Sequence, residues 1–284
     1  MKITIAKKAG FCFGVNRAIK MVRKVLAVKD KPVFSLGLII HNPDFIAELE
    51  SEGLKVIDLI EEIDVDDGYF IIRSHGTTPE IIEEAKIKGL DIVDTTCPFV
   101  KKAQEVARNF FEGGFEVVIF GDKEHAEVIG INAHTKNNAK IIRNNNDLEK
   151  VDFSRPIGVL SQTTQKNDNF NEIVEAIKSR AEKEVIIENT ICLDSTDKKE
   201  EISELAKEND VVIIVGGKIS NNTKKLAEVG RASNLDTYHV ENSKELLSEW
   251  FFDKKSVLIG AGASTPQKHI DDVVEKINSI CNNG

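Results

Sequence analysis

Short, continuous apolar runs recur along this chain, separated by stretches whose apolar residues fall three and four positions apart. The continuous runs at 33–40, 69–72, 90–94, 116–121, 156–160, 185–188, 211–215 and 257–260 read as buried strands. Between them, Val15, Ala18, Ile19, Val22, Val25 and Leu26 share one helical face, and Phe99, Ala103, Val106, Ala107 and Phe110 repeat the stripe. Further helices are expected at 43–51, from Pro79 onward, at 198–207 and at the end of the chain, with Pro79 suited to a first helical position. Apolar strands alternating with helices indicate an α/β fold with mainly parallel sheets.

Superposed on this alternation is a longer period. Cys12, Cys97 and Cys192 divide the chain into near-equal thirds, and each directly precedes a predicted helix and then a strong strand. Each of those strands ends in polar residues at nearly the same offset from its cysteine: His41, His125 and Ser220. Three pseudo-repeated α/β units follow, with boundaries at 13–96, 97–192 and 193–284. The third lacks a final strand, and the N-terminal segment 1–12 is expected to complete it, because residues 2–6 run as a strand into Cys12.

In parallel α/β sheets, ligands bind beyond the carboxyl ends of the strands. His41, His75, His125, Glu127, Thr163, Ser220, Asn222 and Ser264 all occupy such positions, whereas His134 and His239 do not. The helices that follow would point their N-termini at the same ends, offering N–H groups to thiolates or to a phosphate.

Composition narrows the function. A chain of 284 residues, 41% hydrophobic and 30% charged, is of ordinary globular type. Its net charge of −9 argues against a general nucleic-acid binder. No apolar run is long enough to span a bilayer, and the first residues lack the apolar core of a secretory signal. A cytoplasmic location is expected, where thiols stay reduced and widely spaced cysteines serve metals or catalysis. Buried core thiols are the plain alternative for any one of them, and Cys281, near the end of the chain, is read as incidental.

Three thiols with no C-x-x-C pair fit poorly with a structural zinc site, and a catalytic zinc with three cysteines is uncommon. An iron–sulfur cluster is larger, accepts ligands distant in sequence, and is held by thiolates. With three protein ligands on four irons, one iron stays open.

The individual motifs then match a family. Ala9-Gly10-Phe11-Cys12-Phe13-Gly14-Val15-Asn16-Arg17-Ala18, Arg73-Ser74-His75-Gly76, Asp94-Thr95-Thr96-Cys97-Pro98, His125-Ala126-Glu127-Val128, Ser161-Gln162-Thr163-Thr164 and Ala261-Gly262-Ala263-Ser264-Thr265-Pro266 together resemble 4-hydroxy-3-methylbut-2-enyl diphosphate reductases over essentially the whole chain. The resemblance implies a trefoil of three α/β domains around a central 4Fe-4S cluster. It also implies reductive dehydroxylation of an allylic diphosphate to isopentenyl and dimethylallyl diphosphate, the last step of the methylerythritol phosphate route to isoprenoids.

By the same resemblance, Cys12, Cys97 and Cys192 would hold the cluster, and His41, His75, His125, Ser220, Asn222 and Ser264 the diphosphate, with Asn221 beside them. Glu127 would supply a proton and Thr163 would bond the substrate hydroxyl, and His125 is counted with them among the catalytic residues. A ferredoxin or flavodoxin type of electron donor is implied. The chain departs from the family pattern at Thr95, where Ala is usual, and at Ser220-Asn221-Asn222, where Ser-Ser-Asn is usual. Around Cys192 the motif is weak, and that ligand rests on its repeat position.

The chemistry suits these residues. A carboxyl in a water-poor pocket has a raised pKa and can carry a proton near neutrality, which is what Glu127 would need. Neutral His, Ser and Asn donors with helix N-termini can bind a diphosphate without a cage of cations. Three other readings share part of the logic: a quinolinate-synthase-like 4Fe-4S dehydratase, a non-enzymatic iron–sulfur sensor or electron carrier, and a phosphate-binding α/β protein without metal.

Overall fold

The computed structural model describes residues 1–28, 30–40 and 42–282. The chain opens with β1 (Lys2–Ile5) and α1 (Phe13–Val28). It continues through β2 (Val33–Leu36), α2 (Pro43–Glu52), β3 (Leu54–Ile57), β4 (Tyr69–Ile72), α3 (Pro79–Ile87) and β5 (Asp91–Asp94). Next come α4 (Pro98–Glu112), β6 (Glu116–Phe120), α5 (Ala126–Ala133), β7 (Lys140–Ile142), β8 (Ile157–Ser161), α6 (Asn167–Lys178) and β9 (Val185–Glu188). The last run is α7 (Leu193–Ala206), β10 (Val211–Val215), α8 (Asn221–Ser233), β11 (Thr237–Val240), β12 (Ser256–Ala261) and α9 (Gln267–Asn282).

These strands form three four-stranded sheets, ordered β3-β2-β4-β5, β7-β6-β8-β9 and β11-β10-β12-β1, with every pairing parallel. The order is the same in each sheet once β1 is read as the fourth strand of the last. Lys2 to Ile5 pair in register with Ser256 to Ile259. Chain direction therefore reverses its progress across each sheet between the first and third strands, the kind of place where α/β sheets hold ligands.

Central strands are apolar on both faces because helices cover both. On β6, Val118 and Phe120 pack toward Phe170, Ile173 and Ile177 of α6, while Val117 and Ile119 pack toward Ala103, Ala107 and Phe110 of α4. On β10, Val211, Ile213 and Val215 meet Ile270, Val273 and Ile277 of α9, while Val212 and Ile214 face Ile202 and Leu226 of α7 and α8. Each fully buried Val, Leu or Ile contributes roughly 1.5–3 kcal/mol. Cys281 packs at the edge of the α9 core.

By density of contacts the chain divides into two compact units. One comprises residues 1–16, 40–49 and 193–284 and holds the sheet of β1, β10, β11 and β12. The other comprises residues 17–39 and 50–192 and holds the remaining two sheets.

Three differences from the sequence pattern have physical causes. The run expected at 33–40 is a strand only to Leu36: Gly37 adopts φ +72° and turns the chain, so Ile39 and Ile40 are buried without joining the ladder. Helix α7 begins immediately after Cys192 rather than at residue 198. The second strand of each sheet, β3, β7 and β11, goes unpredicted because these are short edge strands with partly exposed residues. Among the described residues no helix is long and apolar enough to cross a membrane.

Candidate active site

One arrangement recurs at the carboxyl end of every sheet. The fourth strand leads to a cysteine, and the backbone N–H of that cysteine donates to a carbonyl in the loop after the third strand. Cys97 N–H reaches Ser74 O at 3.0 Å, Cys192 N–H reaches Thr163 O at 2.8 Å, and Cys12 N–H reaches Ala263 O at 3.2 Å. Each bond ties a thiol to the loop that carries a predicted ligand: His75, Thr163 or Ser264. None of the three cysteines is in a disulfide, and all are half-buried.

Each cysteine also opens a helix. Cys97 caps α4, with Pro98 at the first helical position. Cys12 Sγ accepts the Val15 N–H at 3.4 Å, the bond of a capping side chain. The exposed N–H groups of such a terminus favour negative charge on a nearby ligand. Among the described residues no three His, Cys, Asp or Glu side chains are grouped around a single-ion position.

In the unit of residues 17–39 and 50–192, β6 and β8 lead to His125, Glu127 and Thr163. His125 caps α5, its Nδ1 accepting the Glu127 N–H at 3.2 Å, which leaves Nε2 as the protonated ring nitrogen. Glu127 is 2% exposed. Its Oε1 accepts the Thr163 N–H at 2.6 Å and its Oε2 accepts the Thr163 hydroxyl at 2.9 Å. Burial pushes its carboxyl up to about 7, against the opposing pull of the two bonds from Thr163. From the neighbouring sheet of the same unit, the His75 ring meets His125 edge to face, with centroids 5.5 Å apart. The Gly76 that follows has φ +78°, and a Cβ there would lie 2.5 Å from Gln104 Nε2, so the loop requires glycine to seat His75.

In the unit of residues 1–16, 40–49 and 193–284, β10 and β12 deliver polar groups of another kind. Ser220 is buried and caps α8, its Oγ accepting the Thr223 N–H at 3.4 Å. Asn222 Nδ2 and Ser264 Oγ are buried and have no hydrogen-bond partner among the described residues. Unpaired donors of this kind cost about 1–3 kcal/mol each unless a ligand satisfies them. Asn221, at the first position of α8, is exposed. His41 lies outside the described residues.

The two histidines set aside on sequence grounds are held by backbone carbonyls. His134 Nδ1 meets Gly130 O and His239 Nε2 meets Gly216 O, both at 2.8 Å. Two cations that the pattern did not single out do touch the cysteine loops. Arg17 Nη1 donates to Thr96 O at 3.2 Å, and Lys198 Nζ to Gly10 O at 2.5 Å. Arg17 stands within the quoted motif around Cys12, whereas the only sequence signal for Lys198 was its place less than two turns after Cys192.

Against known proteins, residues 3–278 match the model of the LytB protein family. The chain belongs to the LytB family. It is 43% identical over 281 residues to the 4-hydroxy-3-methylbut-2-enyl diphosphate reductase of Geobacter metallireducens, covering 99% of this chain and 98% of that one. The Campylobacter hominis protein of the same name is 40% identical over 282 residues, covering 99% and 100%. Among solved structures, a reductase described as the terminal enzyme of the non-mevalonate pathway superposes with a TM-score of 0.78 at 39% identity, covering 98% of this chain and all of that one. The Plasmodium falciparum E-1-hydroxy-2-methyl-but-2-enyl-4-diphosphate reductase gives 0.86 at 27% identity, covering 96% and 87%.

Proposed function

We propose that this chain reduces 4-hydroxy-3-methylbut-2-enyl diphosphate to isopentenyl and dimethylallyl diphosphate, as the last step of the methylerythritol phosphate route. The observation that carries the reading is the buried Glu127–Thr163 pair beyond the carboxyl end of a parallel sheet, in a LytB family chain. The named relatives, at about this level of identity over the full length, favour the reductase over the dehydratase, sensor and metal-free alternatives.

Cys12, Cys97 and Cys192 would hold the 4Fe-4S cluster. Three thiols, none of them in a disulfide, fit such a group, and a cluster spreads its ligands more widely than a single ion does. When bound, it would pass two electrons, one at a time, from an external donor and offer an open iron as a Lewis acid toward the substrate hydroxyl.

The remaining work falls to this chain's own side chains. In its protonated form, which a pKa of about 7 keeps substantially populated at neutral pH, Glu127 can donate from Oε2 to Thr163 Oγ1, freeing the threonine hydroxyl to donate to the substrate oxygen. That relay would deliver the proton with which the hydroxyl departs as water. His125, fixed in its Nε2–H form by the Glu127 N–H, offers a neutral donor on the same side. Ser220, Asn222, Ser264, His75 and His41 would bind the diphosphate, with Asn222 Nδ2 and Ser264 Oγ as its best-defined donors. Asn221, being exposed, would contribute through its backbone at the α8 N-terminus. The reading includes a ferredoxin or flavodoxin type of donor and a cytoplasmic location.

The test is anaerobic purification with iron and sulfide counts, then turnover with a chemical reductant and the allylic diphosphate. Consumption of reductant with formation of both C5 diphosphates is expected. Water loss from the substrate without any demand for reductant would sink the proposal.

A further inference from the structure

We propose that Lys198 is a positioning residue for Cys12, an inference that rests on the cluster reading above. Helix α7, which starts directly after Cys192, grips the segment that delivers Cys12 at several points. The Lys7 and Lys8 N–H groups donate to Glu201 Oε1 and Oε2 at 2.7 and 3.1 Å. The Lys8 ammonium pairs with Asp197. Nearest the cysteine, Lys198 Nζ donates to the Gly10 carbonyl at 2.5 Å.

Gly10 cannot easily relocate. It has φ +90°, and a Cβ there would lie 3.2 Å from Ile270 Cδ1 and 3.4 Å from Thr265 O. The peptide is thus wedged against α9 and the loop before it on one side and held by a cation on the other. Two residues later, Cys12 is fixed from both directions, by its N–H to Ala263 O and its Sγ to Val15 N–H.

The burial of Lys198 separates this contact from an ordinary tie. Its side chain is 5% exposed, and Asp194 Oδ2 stands at 3.9 Å. Taking an ammonium out of water is costly. Glu201 and Asp197 already attach the segment from exposed positions, where a tie is cheap. With Asp194 as an ion-pair partner, Lys198 holds a positive charge beside the loop of Cys12, where it would both orient and stabilise a bound thiolate group. The Arg17 bond to Thr96 O is a second case, a cation on the helix after one cysteine gripping the peptide before another.

The experiment compares wild type, Lys198→Met and Lys198→Arg, each purified anaerobically as the loaded protein. Three quantities are measured: iron and sulfide per chain, the rate of iron loss to a chelator, and the midpoint potential of the metal centre. Lys198→Met is expected to lose iron about tenfold faster or more, the usual scale for residues that orient metal ligands. Its potential should fall, because removing a positive charge makes reduction harder. Lys198→Arg, which keeps the charge and a donor, should recover most of both differences. A folded Lys198→Met protein with wild-type iron loss and potential overturns the proposal. Should urea titration show that Lys198→Met does not fold, Lys198→Arg decides, and iron loss as fast as in Cys12→Ser overturns it. A wild-type protein without iron and sulfide would instead remove the cluster reading itself, and this proposal with it.

Discussion

Thr163 holds the Glu127 carboxyl through both its backbone N–H and its hydroxyl, at 2.6 and 2.9 Å. The acid is thereby aimed while staying dry, and the second bond can run in either direction depending on which oxygen carries the proton. Glu127→Gln keeps the shape and removes the acid. Its turnover should drop by about two to four orders of magnitude, with iron content unchanged. Turnover near the wild-type rate in a protein of full iron content would falsify the acid role.

The pH dependence follows from the carboxyl standing at about 7, above its ordinary value of 4.5. A proton donor of this kind is loaded below pH 7 and empties above it, so kcat should fall by about tenfold per pH unit on the alkaline side. Thr163→Val deletes a bond that favours the carboxylate and should move this limb to higher pH. An unmoved limb would assign it to another group.

Stability shifts with the same group. The folded state holds the Glu127 proton more tightly than the unfolded chain, so between pH 4.5 and 7 the folded state binds more protons. Stability from this group is complete below 4.5, declines as pH rises to about 7, and stays lost above. Urea midpoints of wild type and Glu127→Gln should therefore diverge across that window and run parallel outside it.

Asn222→Ala and Ser264→Ala each remove a buried donor that has no partner among the described residues. A hydrogen bond to a charged group is worth about 1.5–3 kcal/mol. KM for the diphosphate substrate should rise roughly tenfold or more in each, while resistance to urea holds or improves slightly. Loss of stability without any change in KM would make both residues structural.

Gly158 tests the packing. A Cβ on this β8 residue would lie 2.4 Å from the Phe110 ring of α4, deep in the core between helix and sheet. Gly158→Ala should cost about 1–3 kcal/mol, read as a lower midpoint in urea.

Much of this was legible in the sequence because the central strands are buried on both faces and read as unbroken apolar runs. β1 was legible for a different reason: it leads into Cys12 as β5 and β9 lead into Cys97 and Cys192. The edge strands β3, β7 and β11 were not, since a run such as Leu54-Lys55-Val56-Ile57 is too short and too exposed to stand out. The start of α7 was hidden by its polar run, in which Asp197, Lys198 and Glu201 serve the 7–10 loop rather than an apolar stripe. Bonds such as Cys97 N–H to Ser74 O leave no mark on side-chain identity, so the ties between cysteines and loops needed coordinates.

The pairing of β1 with β12 also sets a timetable for biogenesis. Residues 2–5 are made long before their partner at 256–259. Until then the first thiol has no sheet to anchor it, while the segments bearing the other two can already fold. The sheet that carries Cys12 therefore closes only once β12 has been made, and a chain cut short before residue 256 would leave β1 without its partner.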